Sequence, residues 1–300
     1  MRCHRGPSAP SPAAVCSSER YRTPASRKLH ITPSAVSQRI KGLETSVGRI
    51  LVQRTKPVQV TDSGREVLRL ARQIDALSRD TVRELGLENG SGMFARVSIA
   101  VNADSLSTWV LGALAEFTQE VSFDFHLDDQ DHTTELLRDG SVMAAVTSVA
   151  SPIQGCTSSR LGIMRYRPMA SAEFCRRWFA DGVTAESLSE APLVVFNRKD
   201  LLQDRYLDQK VGHPADPPRH LVPSSADFAD AVRRGYGWGL IPDLQRGDDD
   251  RSGVLIGFDP DFVDDVPLYW QQWKLSSPVL RRISEVVTRR AHEVLHQPSS

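Results

Sequence analysis

The sequence predicts an α + α/β chain: a small helix-turn-helix head with a hairpin wing, one long linker helix, and an α/β body. Three observations carry that reading. Lysine plus arginine and aspartate plus glutamate both number 37 in 300 residues, yet residues 1–60 hold eleven basic side chains against Glu19 and Glu44. The head is therefore +9 and residues 61–300 are −9, which points to a polyanion for the head and a different task for the body. Residues 62–87 contain no proline and repeat apolar residues at three- and four-residue steps. From Phe94 onward, short β-prone runs alternate with helical stretches.

Composition narrows the class further. Apolar residues make up 40% and charged residues 25%, an ordinary globular balance for 33.3 kDa. No apolar run reaches the roughly 18 residues of a membrane helix, and no apolar stretch follows the basic N-terminus as a secretory signal would require. Cys3, Cys16, Cys156 and Cys175 form no C-x-x-C pair, so neither a disulfide framework nor a structural metal site is expected, and a reducing cytoplasm is. No nucleophile elbow, phosphate loop or zinc spacing is present, and the eight histidines are scattered. Neither an enzymatic activity nor a cofactor is expected.

In the head, Ile31-Thr32-Pro33 reads as a tight turn. The Thr32 hydroxyl suits an N-cap and Pro33 the first helical position, where its missing N–H costs nothing. A helix continues to about Val47, with Val36, Ile40, Leu43 and Val47 on one stripe and Ser34, Ser37, Gln38 and Lys41 opposite. Short polar residues near the N-terminus let a helix approach the major groove. Gln38 can bond an adenine edge twice, Lys41 can reach a phosphate or a guanine, and Arg39 a phosphate. A plain amphipathic helix with a solvated face shows the same pattern. The residues after the helix favour recognition: Gly48 ends it, and residues 51–54 and 58–60 read as two short strands around Thr55-Lys56-Pro57, a basic-tipped wing.

The run Ile31-Thr32-Pro33-Ser34-Ala35-Val36-Ser37-Gln38-Arg39-Ile40-Lys41, with Leu43-Glu44, Gly48, Arg54, Thr61 and Gly64, resembles the DNA-binding motif of LysR-type transcriptional regulators. Its Gln38-Arg39-Ile40-Lys41 variant resembles the branch that senses lysine and arginine. The resemblance extends over about 28–295. It implies a winged helix-turn-helix, a long linker helix and a two-lobed α/β effector domain like periplasmic binding proteins. The DNA-contacting set it implies is Thr32, Pro33, Ser34, Ser37, Gln38, Arg39, Lys41, Arg54 and Lys56. It further implies double-stranded DNA and a basic amino acid as partners, a homodimer or homotetramer, contact with RNA polymerase, and activation of an amino acid export gene. The family also places an apolar helix before the motif. Residues 1–27 have four prolines, five serines and five arginines but no Leu, Ile, Phe or Trp, so they read as an aberrant, disordered segment such as a shifted frame or misplaced start would give. That keeps a second reading open: a small-molecule-binding protein, or a degenerate regulator with a non-functional head.

The expected organisation is 28–61 for the partial DNA-binding domain, 62–88 for the linker and 93–300 for the effector domain. Val67, Leu70, Ile74, Leu77, Thr81 and Leu85 form a narrow coiled-coil stripe on a linker about 39 Å long, which favours a dimer over a core helix. In the body, strands are expected at 97–101, 123–127, 143–147, 193–196, 219–223, 238–241 and 266–275. Helices are expected at 105–118, 132–138, 172–180, 200–209, 226–234 and 278–295. The resemblance places lobe 1 at about 93–163 and 267–300 and lobe 2 at about 164–266. Ligands of such sheets bind beyond the carboxyl ends of the strands. The candidate turns are Asn102-Ala103-Asp104-Ser105, the acidic 128–132 loop with Asp129, Thr147-Ser148, Asn197 to Asp200, and Ser224. In the first, helix N–H groups and Ser105 could hold a carboxylate and Asp104 an ammonium or guanidinium; simple capping is the alternative. Asp200 and Asp204 either face the cleft or cap and salt-bridge their own helix. Tyr269, Trp270 and Trp273 read as core, Trp238 as core or hinge with the cleft edge as the alternative, and Asp248-Asp249-Asp250 as a solvated loop.

Overall fold

A computed structural model of the chain describes residues 29–55, 57–85, 94–127, 130–212, 215–247 and 253–297. The expectations for residues 1–27, Lys56, the 128–129 turn with Asp129, and Asp248-Asp249-Asp250 lie outside the described residues.

The head begins with helix α1 (Pro33–Val47). Thr32 caps it, its hydroxyl accepting the Ala35 N–H at 3.1 Å, and Gly48 closes it in the left-handed region at φ 69°. Val36 is buried, while Leu43 and Val47 at the far end of the same stripe stay exposed. Strands β1 (Val52–Gln53) and β2 (Gln59–Val60) pair antiparallel, Val52 opposite Val60. The wing is tied to α1 by one carboxylate: Glu44 Oε1 accepts from Leu51 N at 2.9 Å and from Val52 N at 3.2 Å.

Helix α2 (Asp62–Glu84) is the linker, 23 residues and about 35 Å long. Thr61 caps it, accepting the Gly64 N–H at 3.0 Å and donating to the Ile50 carbonyl at 2.7 Å. The expected stripe lies open: Leu70 and Ile74 are each 55% exposed, and Leu77 and Leu85 are exposed too. The other face docks on the body. Arg69 donates to the Gln154 carbonyl at 2.9 Å, Arg72 to the Asp139 carbonyl at 2.7 Å, and Ser277 to Asp80 at 2.6 Å.

The body opens with β3 (Ala95–Val101) and a helix, α3, of mixed pitch. It runs through an α turn (Ala103–Ser105), a π turn (Leu106–Val110), an α turn (Leu111–Leu114) and a 3₁₀ turn (Ala115–Phe117). Next come β4 (Val121–Leu127), α4 (Gln130–Asp139) and β5 (Ala144–Thr147). Strand β6 (Cys156–Ser171) is 16 residues long and carries the chain from lobe 1 into lobe 2. Lobe 2 contains α5 (Ala172–Trp178), α6 (Ala185–Glu190), β7 (Leu193–Val195), α7 (Leu202–Val211), β8 (Arg219–Leu221), α8 (Ser225–Arg233), β9 (Gly239–Pro242), α9 (Asp243–Arg246) and β10 (Leu255–Gly257). Strand β11 (Asp264–Trp273) returns to lobe 1, and α10 (Pro278–Val294) packs over it.

The main sheet is mixed. Strand β3 runs parallel to β4 and β5, and β7 parallel to β8, as alternation with helices requires. The crossing strands β6 and β11 are antiparallel to each other, and β11 is antiparallel to β5. A chain that leaves a lobe and returns to it supplies two strands of opposite sense at the boundary. Val101, Phe117, Trp270 and Ile283 belong to the buried core around lobe 1. In lobe 2, Tyr206 packs edge-on against Trp238 and Phe262 at centroid distances of 5.3 and 4.7 Å. Trp238, Trp270 and Trp273 are buried, whereas Tyr269 is half-buried.

Candidate functional site

Two surfaces collect the sequence-predicted residues. On the head, Thr32, Pro33, Ser34, Gln38, Arg39, Lys41 and Arg54 are exposed and Ser37 is half-buried. The Ser37 hydroxyl donates back to the Pro33 carbonyl at 3.0 Å, which keeps it close to its own helix. Arg39, Lys41 and Arg54 form no salt bridge among the described residues, so their charge is available to a polyanion.

The second surface is the cleft where β3, β7 and β8 end. Asn102 caps α3, its carbonyl oxygen accepting the Ser105 N–H at 2.7 Å, and this turns Asp104 toward lobe 2. Both oxygens of Asp104 accept a hydroxyl proton from beyond its own lobe. Tyr166 of the crossing strand β6 donates at 2.7 Å, and Ser225, at the start of α8, donates at 2.6 Å. Ser107 lies 2.9 Å from Ser225, and Gln245 of α9 donates to Ser225 Oγ at 2.7 Å.

Electrostatics bring in a second carboxylate. Burial is the main force pushing the Asp200 carboxyl up from 3.8; the N–H groups of Phe196 and Leu202 oppose that, and Asp104 and Asp204 add to it. Tyr166, buried, is held well above the ordinary phenol range, first by burial and then by Asp104, Asp200 and Asp264. Negative charge from both lobes, Asp104 in lobe 1 and Asp200 in lobe 2, thus adds to burial in holding the Tyr166 phenol up. Among the described residues neither has a lysine or arginine partner. Two mutually repelling carboxylates without a cation form a site that gains by receiving one.

The remaining candidates do other work. Ala103 is half-buried in the first turn of α3. Ser105 is fully buried and its hydroxyl has no partner among the described residues, whereas the Ser107 hydroxyl on the same helix reaches Ser225 across the cleft. Thr147 is buried and accepts the Val149 N–H at 3.2 Å, and Ser148 beside it is half-buried. Asn197 accepts the N–H groups of Lys199 and Asp200, and Ser224 caps α8 by accepting from Asp227 N. Asp204 binds Arg219 of β8 at 2.6 Å, an ion pair with a neighbouring strand and not with its own helix.

Sequence reading missed Tyr166, Ser107 and Gln245, and singled out Ser224 where Ser225 makes the contact. Gln245 comes after a strand, β9, so the rule that selected the other turns could have found it. Tyr166 stands inside a long strand and has no local signal. No group of three or more metal-ligating side chains occurs among the described residues. Burial pushes the Cys156 and Cys175 thiols up, away from reactive thiolates.

Comparison with known proteins gives consistent likenesses. The bacterial regulatory helix-turn-helix protein, lysR family, matches residues 16–65, beginning inside the proline- and arginine-rich first 27 residues, and the LysR substrate binding domain matches 91–291. The HTH-type transcriptional regulator LysG of Mycobacterium tuberculosis is 43% identical over 267 residues, 89% of this chain and 87% of that protein. The lysine export transcriptional regulatory protein LysG of Corynebacterium glutamicum is 40% identical over 276 residues, 90% of this chain and 92% of that protein. Among solved structures, ArgP from Mycobacterium tuberculosis superposes with a TM-score of 0.85 at 39% identity, covering 96% of this chain and 97% of that one. Full-length LysG from Corynebacterium glutamicum with bound effector Arg gives 0.78 at 36% identity, covering 95% and 96%.

Proposed function

The chain belongs to the LysR family of bacterial transcriptional regulators, and from that premise we propose that it senses a basic amino acid, lysine or arginine, in the cleft between its lobes. The observation that carries the proposal is the Asp104 carboxylate in the cleft, held by the Tyr166 and Ser225 hydroxyls with no lysine or arginine partner among the described residues, and Asp200 in the turn after β7 adds negative charge to the same cleft. An ε-ammonium or guanidinium placed between the two carboxylates cancels their repulsion. A carboxylate offers about four acceptor positions, and the two hydroxyls on Asp104 use two, so the cation has room to bind beside them. The effector's own carboxylate is assigned to the Ala103 and Asp104 N–H groups of the Asn102–Ser105 turn, the Ser105 N–H being held by the Asn102 cap. The bound arginine of the Corynebacterium glutamicum LysG structure supports the ligand class.

The mechanism is a population shift. The effector prefers the closed arrangement of the lobes, and closure is passed to α2 through Arg69, Arg72 and Asp80. A homodimer through the open Leu70-Ile74-Leu77 stripe spaces two heads on double-stranded DNA, and a tetramer, contact with RNA polymerase and control of an amino acid export gene complete the proposal. Thr32, Pro33, Ser34, Ser37, Gln38, Arg39, Lys41, Arg54 and Lys56 form the DNA face, Gln38 reading a base edge and the basic residues the phosphates. The test is fluorescence anisotropy with the full chain and the region upstream of its own gene and its divergent neighbour, titrating salt with and without lysine or arginine. Selective binding whose affinity or DNA bend responds to either amino acid supports the reading. Unselective, salt-sensitive binding that ignores both overturns it. In the same assay Gln38→Ala lowers the ratio of specific to non-specific affinity.

A further inference from the structure

Ser225 donates to the Asp104 carboxylate at 2.6 Å, which fixes where the Ser225 proton points. With its one proton spent, Ser225 can only accept from its other neighbours. The Gln245 amide donates to it at 2.7 Å, and Ser107, 2.9 Å away, must then donate as well. Gln245 also donates to the Ser225 carbonyl at 3.1 Å and reaches Ser107 at 3.3 Å. The result is a donor chain with one possible direction, from Gln245 and Ser107 through Ser225 to Asp104. Ser107 and Asp104 belong to lobe 1, Ser225 and Gln245 to lobe 2. These bonds exist only while the lobes are together.

Gln245 is itself held from behind. It sits on the four-residue helix α9, whose first residue, Asp243, accepts from Arg246 at 2.8 Å and from Arg167 at 3.1 Å and lies 3.0 Å from His296 Nε2. His296 exchanges two backbone hydrogen bonds with Ile163 on β6, at 2.8 and 3.1 Å. At Gly162, beside it, a Cβ would lie 2.8 Å from Leu295 and Gln297, so the C-terminal strap lies flush on the crossing strand. Helix α9 is thereby fixed to the hinge on one side and presents Gln245 to the cleft on the other.

We propose that Gln245 is a positioning residue which, by donating to Ser225, latches the two lobes together and holds Asp104 oriented for the effector's cation. This deepens the basic-amino-acid reading and rests on it for the role of Asp104. Because the latch acts on closure and not on the identity of the side chain bound, its loss weakens lysine and arginine alike: the apparent affinity of a closed-state ligand falls with the fraction of molecules already closed.

The test uses the full chain and Gln245→Met, which keeps the length and apolar volume of the side chain and removes the donor. Lysine and arginine affinities are measured by calorimetry, and hydrogen–deuterium exchange is monitored without ligand in 103–110 and 225–233, the two faces of the cleft. The latch predicts a five- to tenfold loss of affinity for both amino acids, an unchanged lysine-to-arginine ratio, and faster exchange on both faces. Ser225→Ala reproduces these effects, and Ser225→Thr, which keeps a hydroxyl, restores most of the affinity. Wild-type affinity in Gln245→Met, or unchanged exchange on either face, overturns the latch. A wild-type chain that binds neither amino acid defeats the ligand reading instead, and the exchange measurement still decides the latch.

Discussion

Gly64 offers a sharp test of how the head is built. Replacing it with alanine places a Cβ 2.0 Å from the Leu51 carbonyl oxygen, 2.7 Å from Val60 Cγ1 and 2.9 Å from the Leu51 carbonyl carbon. Two of these three atoms are backbone and cannot rotate away, so residues 50–52 must shift. That carbonyl accepts the Thr61 N–H at 3.0 Å, worth about 1 kcal/mol. The Leu51 and Val52 N–H groups bind the Glu44 carboxylate, worth about 2 kcal/mol each if that acceptor is charged. Losing the first and one or both of the others costs about 3–5 kcal/mol, and the better helix propensity of alanine returns about 1 kcal/mol. The net cost is about 2–4 kcal/mol, and it falls on the contact joining α1, the wing and α2. DNA affinity by anisotropy drops at least tenfold, while amino acid affinity by calorimetry stays within twofold, because the lobes are remote from Gly64. DNA affinity within twofold of wild type would refute this account of the head's geometry.

Other substitutions test the cleft and the linker. Asp104→Asn removes a full charge facing the ligand cation; at an effective dielectric near 20 and a separation of ~4 Å the interaction is about 4 kcal/mol, and with solvent screening a loss of about 2–3 kcal/mol, or roughly 30- to 150-fold in amino acid affinity, is expected by calorimetry. DNA affinity without effector stays nearly wild type, and unchanged amino acid binding would remove Asp104 from the site. Burial raises the Asp200 carboxyl above 3.8, so the native chain holds that proton longer than the unfolded one. Its ionisation is then a stability cost that is absent below 3.8 and complete above the raised value. Cation binding favours the ionised form, so amino acid affinity rises with pH through that window and levels off above it. Calorimetry in two buffers of different ionisation enthalpy detects proton release within that window, absent in Asp200→Asn; the same profile in both proteins would contradict the assignment. Ile74→Asp puts a charge on the open stripe of α2, and light scattering should give a smaller assembly with the fold intact by circular dichroism. An unchanged mass would mean that the stripe does not hold the copies together.

Much of the fold was legible because local chemistry set it. Thr32, Pro33 and Gly48 fix the ends of α1 by capping and backbone preference alone, and Gly64 and Thr61 stand where the sequence motif puts them. The alternation in the body located every long helix and most strands to within a few residues. Strand β6 was not located, because its register is set by β9, β10 and β11, three segments distant in sequence. The site was less legible than the fold. Asp104 could be singled out from its turn, but the same turn equally nominated Ser105, which faces the core, in place of Ser107.

The sequence by itself determined the head, the open stripe of the linker and the acidic character of the body, since capping, helical periodicity and charge are properties of neighbours along the chain. Tertiary structure decided the cleft. Asp104, Tyr166, Ser225 and Gln245 come from four separate elements, and they meet only because β6 and β11 fold one lobe back over the other. A hydroxyl's direction and a carboxylate's burial depend on what lies across such a gap, and no window of adjacent residues contains that information.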